Sequence, residues 1–250
     1  MGAVPALQGP LLGHACTQGL RPRCPGGVRS CFCGRRARPS SSRPGSAAEH
    51  LSVGSRLARP GRLRELLAAP EPLVAPGAYD ALSARLIEQA GFGAVYMTGF
   101  GTTASLIGRP DVGLLSATEM IDNAGRIAAA VDVPVIADAD TGYGNAINVV
   151  RTVQAFEQAG AAGIYLEDQV APKRCGHLSG KAVIPASEMA EKIRAAVAAR
   201  RDPDFVIIAR TDAIAVNGLD DAVARAAPMP MRVPTCCSWR PRRASGTSAP

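Results

Sequence analysis

Two aspartates, Asp138 and Asp140, close an apolar run, and further along the chain comes Lys173-Arg174-Cys175-Gly176-His177. The first pair supplies hard oxygen ligands; the second group sets an ionisable thiol among cationic neighbours. Side chains two apart in a strand share a face, so both aspartates are expected on one side of a sheet, where two carboxylates need a cation. Glu167, ending the next apolar run, completes an all-oxygen set suited to Mg2+ or Mn2+, with substrate oxygens and water filling the other positions. The plainer alternative is that these acids cap helices. Between residues 56 and 226, Cys175 is the only cysteine and His177 the only histidine. Lys173, Arg174 and His177 favour the thiolate, so Cys175 can exchange a proton near neutral pH; the alternative is an ordinary surface cysteine. Arg210, at the end of another apolar run, can clamp a carboxylate through two parallel N–H bonds or pair with Asp212. A cation site, a proton donor and a carboxylate clamp together suit making or breaking a carbon–carbon bond in a carboxylic acid.

The elements that must carry these residues alternate. Residues 72–76 read as strand one. Residues 79–90 read as a helix with Leu82, Leu86 and Ile87 on its buried face and Gly91 closing it. Strand two spans 94–98, and a long glycine-bearing loop follows. Ser116 starts a helix with Glu119 three residues on, a capping-box pattern, and Met120, Ile121, Ala124, Ile127 and Ala128 form its apolar stripe. Strands at 133–138, 163–167 and 205–210 alternate with helices at 145–159 and 187–199, and a fifth helix starts at Asp220. Thr141-Gly142-Tyr143-Gly144 turns the chain out of strand three.

Five βα units in series, with polar residues gathered after the strand ends, predict an α/β (β/α)8 TIM barrel that is incomplete, because eight units need ~200 to 250 residues. The dinucleotide glycine fingerprint is absent. The expected organisation is a leader at 1–55, disordered or mistranslated from upstream; a partial barrel domain at 56–226; and a non-native tail at 227–250. Beyond Ala226 the periodicity gives way to a Pro-, Arg- and Ser-rich stretch. A shifted reading frame there can spell RAYADAGADVLFVEAP, which reads as a helix end, a turn and a sixth strand ending in a carboxylate. A frameshift is therefore expected, and resequencing the coding DNA across Ala226 tests it.

The net charge of +7 belongs to the ends. Residues 1–55 hold seven arginines against one acid, Glu49, and residues 226–250 hold four arginines and no acid, so the stretch between is net acidic. That distribution, with few aromatics, excludes a nucleic-acid partner, and no run of about 18 apolar residues exists to span a membrane. Six of the seven cysteines lie in the ends. A disulfide framework for the middle is excluded, and a lone internal cysteine fits a reducing, cytoplasmic setting. The leader is basic like an organelle transit peptide but lacks its amphipathic period.

The motifs YMTG (96–99), GRPDVG (108–113), DADTGYG (138–144), EDQ (167–169), PKRCGH (172–177) with Gly180-Lys181, and ARTDA (209–213) resemble the isocitrate lyase and phosphoenolpyruvate mutase superfamily over residues 60–226. The resemblance implies Mg2+ held through Asp138, with Asp111, Asp140 and Glu167 acting through water. It implies a small carboxylic acid substrate meeting Tyr96, Thr98, Gly99, Phe100, Gly176 and Arg210, with Cys175 as proton donor and Lys173 and His177 assisting. The activity implied is a Mg2+-dependent lyase cleaving a 2-hydroxy di- or tricarboxylate, of methylisocitrate or dimethylmalate type, to a 2-oxo acid and a second acid. The alternatives are a carboxyvinyl-carboxyphosphonate phosphorylmutase and an inactive fragment. Thr98 stands where lyases usually carry serine, and Phe100 where methylisocitrate lyases carry glycine. Complete relatives are homotetramers that exchange their last helices, an assembly not expected for this chain.

Overall fold

The computed structural model describes residues 59–176 and 178–226. The leader, the tail and His177 lie outside the described residues. The order is α1 (Arg59–Ala68), β1 (Gly77–Ala78), α2 (Ala81–Gln89), β2 (Val95–Met97), α3 (Gly99–Ile107), α4 (Ala117–Ala130), β3 (Val135–Asp138), α5 (Ala146–Gln158), β4 (Gly163–Glu167), α6 (Ala186–Ala199), β5 (Val206–Arg210), a 3-10 turn (Ala213–Ala215) and α7 (Leu219–Ala226).

The five strands are all parallel and lie side by side in chain order. Alternation divides each strand between two faces. Val95, Met97, Val135, Ala137, Ile164, Leu166, Ile207 and Ala209 enter one apolar cluster with α4, α5 and α6. Tyr96, Ile136, Tyr165, Val206 and Ile208 face the other way, beside Leu63 and Leu67 of α1. The crossover helices thus share one face and strand order never reverses, which is barrel winding and not the doubly wound alternative. Leu63, fully buried, seals the lower part of the inner face; burying such a side chain stabilises by roughly 1.5–3 kcal/mol.

Local chemistry sets the helix starts. Ser116 and Glu119 form the expected capping box, as do Asp80 with Ser83 and Asn145 with Asn148, each satisfying backbone donors that the first turn leaves without partners. The stripe on α4 is buried as expected, with Asn123 joining it and Ile121 only partly covered.

Several expectations are corrected. Strand one lies at Gly77–Ala78, not 72–76. Pro72 and Pro76 have no N–H to give a ladder, although the Pro76 carbonyl accepts from Tyr96 N at 3.0 Å. Leu82 and Leu86 are exposed, because α2 packs on α4, β1 and β2 through Ala84 and Ile87. The stretch after β2 is a helix, α3, not a loop. Glycines and threonines make it a poor helix by propensity, yet Thr98 caps it, Gly108 closes it with φ +62°, and Asn123 Nδ2 on α4 donates to Thr102 Oγ1 at 3.1 Å. Nothing in the expected elements foresaw α1. Among the described residues, no helix is long and apolar enough to cross a membrane.

Candidate active site

Asp138 ends β3 on the inner face, buried to 6 % exposure. Its Oδ2 accepts from the Tyr96 hydroxyl (2.9 Å) and the Gly99 amide (3.2 Å), and its Oδ1 from the Asp140 amide (3.0 Å). The helical form of α3 therefore matters: it turns an N-terminal N–H, with its partial positive charge, onto this carboxylate. Gly99 is required there, since a Cβ would stand 2.7 Å from Asp138 Oδ2 and 3.6 Å from Asp111 Oδ2. Asp140 reaches the same site, but not by strand alternation. It lies beyond β3 with φ +48°, a left-handed conformation that short polar side chains tolerate.

Lys173 enters from the loop after β4, its side chain only 5 % exposed. Its Nζ lies 2.6 Å from Asp111 and 2.7 Å from Asp140 Oδ1. Asp140 Oδ1 is completely buried yet accepts no aligned hydrogen bond, while its Oδ2 accepts from Tyr143 Oη at 3.2 Å. Glu167 meets Arg210 Nη1 at 3.1 Å, and Arg210 Nη2 meets Asp212 at 3.1 Å. Both readings of Arg210 thus share one place: it reaches the inner face and is ion-paired with Asp212.

Burial pushes the Asp140 carboxyl up to about 7, with Asp138 adding and Lys173 opposing. Burial likewise raises Glu167 to about 8, against the pull of Arg210. For Lys173 burial works downward, but Asp140, Asp138 and Glu167 overcome it and hold the ammonium well above the ordinary lysine range. Arg210 is held up in the same way, by Glu167 and Asp212. Tyr96 is raised by burial and by Asp138, so its hydroxyl stays a donor.

Cys175 is buried at 8 % exposure, and its amide donates to the Asp111 carbonyl at 2.9 Å. Lys173 beside it is committed to the two aspartates, and the Arg174 guanidinium is turned to the Ser179 carbonyl. Of the expected cationic neighbours, Lys173 and Arg174 are therefore engaged with other partners. Thr98 uses its hydroxyl to cap α3, the Phe100 side chain is half exposed, and the Gly176 carbonyl accepts from Lys181 Nζ at 2.8 Å.

Among the described residues no three acidic, histidine or cysteine side chains converge as a ready-made metal cluster. Charge, however, is unbalanced. Among the described residues, Asp111, Asp138, Asp140, Glu167 and Asp212 face Lys173, Lys181 and Arg210, leaving two negative charges that protons on Asp140 and Glu167 can relieve. With Gly99 leaving room beside Asp138 and Asp111, and Asp140 Oδ1 buried beside the Lys173 ammonium, this all-oxygen donor set fits a divalent cation.

Several polar residues here were not singled out by their chemistry. Gln169, 1 % exposed, donates to Glu167, the Arg174 carbonyl and Asp212. Asp168 accepts from Thr211 Oγ1 and the Asp212 amide and pairs with Arg225. The EDQ, GK and ARTDA motifs contain Gln169, Lys181 and Asp212, but only the fold shows that they meet.

Residues 63–228 match the model of the family described as phosphoenolpyruvate phosphomutase. The chain belongs to that family. A phosphoenolpyruvate phosphomutase family relative, the 2,3-dimethylmalate lyase of Eubacterium barkeri, is 56 % identical over 164 residues, which cover 66 % of this chain and 57 % of the relative. Among solved structures, oxaloacetate acetylhydrolase in complex with 3,3-difluorooxalacetate superposes with a TM-score of 0.65 at 48 % identity, over 67 % of this chain and 58 % of that one. Phosphonopyruvate hydrolase in complex with oxalate and Mg2+ superposes with a TM-score of 0.62 at 39 % identity, over 67 % and 58 %. The chain thus spans under three fifths of the length of these relatives.

Proposed function

We propose that this chain carries the catalytic face of a Mg2+-dependent carbon–carbon lyase acting on a 2-hydroxy di- or tricarboxylate, of the 2,3-dimethylmalate or methylisocitrate type. The observation that supports it is the buried set of carboxylates at the strand ends and on the stretch bearing Asp111, two negative charges in excess among the described residues, with the Cys175 amide bonded to the Asp111 carbonyl. Asp138 would hold the cation, with Asp111, Asp140 and Glu167 acting through water. When bound, Mg2+ would stabilise negative charge on the oxygens of the 2-oxo product.

The chain's own residues have the remaining tasks. As the carbon–carbon bond breaks, the 2-hydroxyl gives its proton to a neighbouring site carboxylate and becomes the 2-oxo group; the bond's electron pair stays on the carbon next to the carboxylate of the departing acid, and the Cys175 thiol delivers its proton there. Lys173 holds Asp111 and Asp140 in place and offsets charge as it develops. Tyr96 and the Gly99 amide fix Asp138. Arg210 offers its guanidinium to a substrate carboxylate in competition with Glu167 and Asp212. His177 assists at the same loop.

The test is release of a 2-oxo acid from 2,3-dimethylmalate and 2-methylisocitrate in the presence of Mg2+. It is run on residues 1–250 and on the same chain completed with the C-terminal segment of 2,3-dimethylmalate lyase. Turnover is expected only from the completed chain, because β1 and β5 each pair on one side alone among the described residues and exposed edges favour aggregation. Absence of product from every substrate, or full activity in Cys175→Ser, would refute the reading.

A further inference from the structure

The turn that carries the chain out of β3 is left-handed at Asp140 (φ +48°), Gly142 (+86°), Tyr143 (+58°) and Gly144 (+144°). Aspartate and tyrosine keep such angles only where the surroundings over-determine them. Here the backbone oxygens show how. Four successive carbonyls each accept from a different place: Ala139 from the Gly142 amide at 2.9 Å, Asp140 from the Glu167 amide at 2.9 Å, Thr141 from Lys192 Nζ at 3.2 Å and Gly142 from Thr152 Oγ1 at 3.1 Å.

The last two donors are side chains, and both stand in otherwise apolar stripes. The buried positions of α5 are Val149, Thr152, Val153 and Phe156, and those of α6 include Met189, Lys192, Ile193 and Ala196. Spacings of three and four put each set on one helix face. Thr152 and Lys192 are thereby carried into the layer between helices and sheet, at 4 % and 5 % exposure. A lysine buried there needs an oxygen partner, and the one it finds lies 51 residues back along the chain. Both donors reach the turn from the helix side of the sheet, whereas Asp138 lies on the inner face. What they fix is the backbone that bears Asp140, whose amide donates to Asp138 Oδ1 at 3.0 Å and whose Oδ1 meets Lys173 Nζ at 2.7 Å.

We propose that Lys192 and Thr152 are positioning residues that hold the left-handed turn at 140–144 from the outer helices and so set where the Asp140 carboxylate lies. Their bearing on catalysis rests on Asp140 serving the cation as proposed above; the hold on the turn does not.

Residue-resolved amide exchange on the metal-free 1–250 chain measures that hold. The Gly142 and Glu167 amides report on it, since both donate into the turn, and the ladder amides of β3 and β4 serve as the reference. Lys192→Met keeps the stem and removes the donor; Thr152→Val keeps the shape and removes the hydroxyl. Each is expected to speed exchange at both reporters by between about fivefold and about a hundredfold, the cost of leaving one buried carbonyl without its donor, with the ladder amides unchanged. Thr152→Ser, which restores the hydroxyl, should recover most of the protection. Reporter rates equal to wild type in both variants, or a rise that merely tracks the ladder amides, overturn the hold. Should a variant fail to fold, the wild type still decides, because a held turn requires the Gly142 amide to exchange slowly and fast exchange there refutes it. Calorimetric titration with Mg2+ then reads the consequence. Affinity should fall by about fivefold or more in Lys192→Met and Thr152→Val and return in Thr152→Ser; unchanged affinity with an opened turn would show that the turn does not place Asp140 for the cation. Failure of the metal reading shows separately, as a wild type that binds no Mg2+ while the two variants still loosen the turn.

Discussion

Replacing Lys173 by methionine tests the electrostatic account of the site most sharply. The substitution keeps the apolar stem and removes one charge that lies 2.6 Å from Asp111 and 2.7 Å from Asp140. With the lysine side chain 5 % exposed and those acids 8 % and 9 %, water cannot replace it. Removing one partner of a buried pair costs about 3–5 kcal/mol, because the other charge is left uncompensated. Here two carboxylates are left, but Asp140, already pushed up to about 7, can take a proton near neutral pH, so the lower end of that range is expected at pH 6 and the upper end at pH 8. Against a typical total of ~5–15 kcal/mol, this is a large share. Chemical denaturation followed by circular dichroism at both pH values measures it, with Lys173→Met/Asp140→Asn as the second arm. The double variant should regain more than half of the loss. The surface pair Arg62–Glu65 is the contrast: it is also in direct contact, at 2.9 Å, but 60 % and 68 % exposed, and breaking it should change little. If Lys173→Met proved as mild as the Arg62 change at both pH values, the buried-charge reasoning would fail.

Two more outcomes follow from the same geometry. Gly99→Ala places a methyl 2.7 Å from Asp138 Oδ2, an overpacking worth ~1–3 kcal/mol, and should weaken Mg2+ binding by about fivefold or more in a calorimetric titration; unchanged affinity would show that Asp138 is not a ligand. Stability without metal should fall as pH rises, since Asp140 and Glu167 have folded-state values of about 7 and about 8 against ordinary values of 3.8 and 4.5. An acid raised on folding binds its proton more tightly in the native state, so its contribution is complete below the ordinary value and is lost on passing the raised one. The window is thus roughly pH 4 to 8, and saturating Mg2+ should flatten it. A metal-free thermal midpoint that rose across that window would contradict the assignment.

Much of the fold was legible because its signals are local. Capping at Ser116 and the apolar stripe of α4 depend on residues three and four apart, and β4 and β5 announced themselves as short apolar runs, β5 rich in β-branched residues. The failures were also local in origin. Residues 72–76 are apolar enough for a strand but carry prolines, and α3 is a helix despite its composition, held by Thr98 at one end and Asn123 across to α4. Leu82 and Leu86 obey the period of a buried face, yet the small Ala84 is what fits under α2.

For the site, residue types and spacings were enough to nominate Asp138, Asp140, Glu167, Cys175 and Arg210 and to place them after strand ends in a barrel winding. Which charge answers which lay beyond them. Lys173 was read as a neighbour of Cys175, one bond network along the chain, but its ammonium crosses 62 residues to Asp111. Gln169 likewise crosses 43 to Asp212. Local patterns record the period of a strand and the start of a helix, because those arise from nearest turns. Partners so far apart are set by strand order and register, and burial then makes each such pairing obligatory, since a charge removed from water must find its counterpart wherever the sheet has brought one.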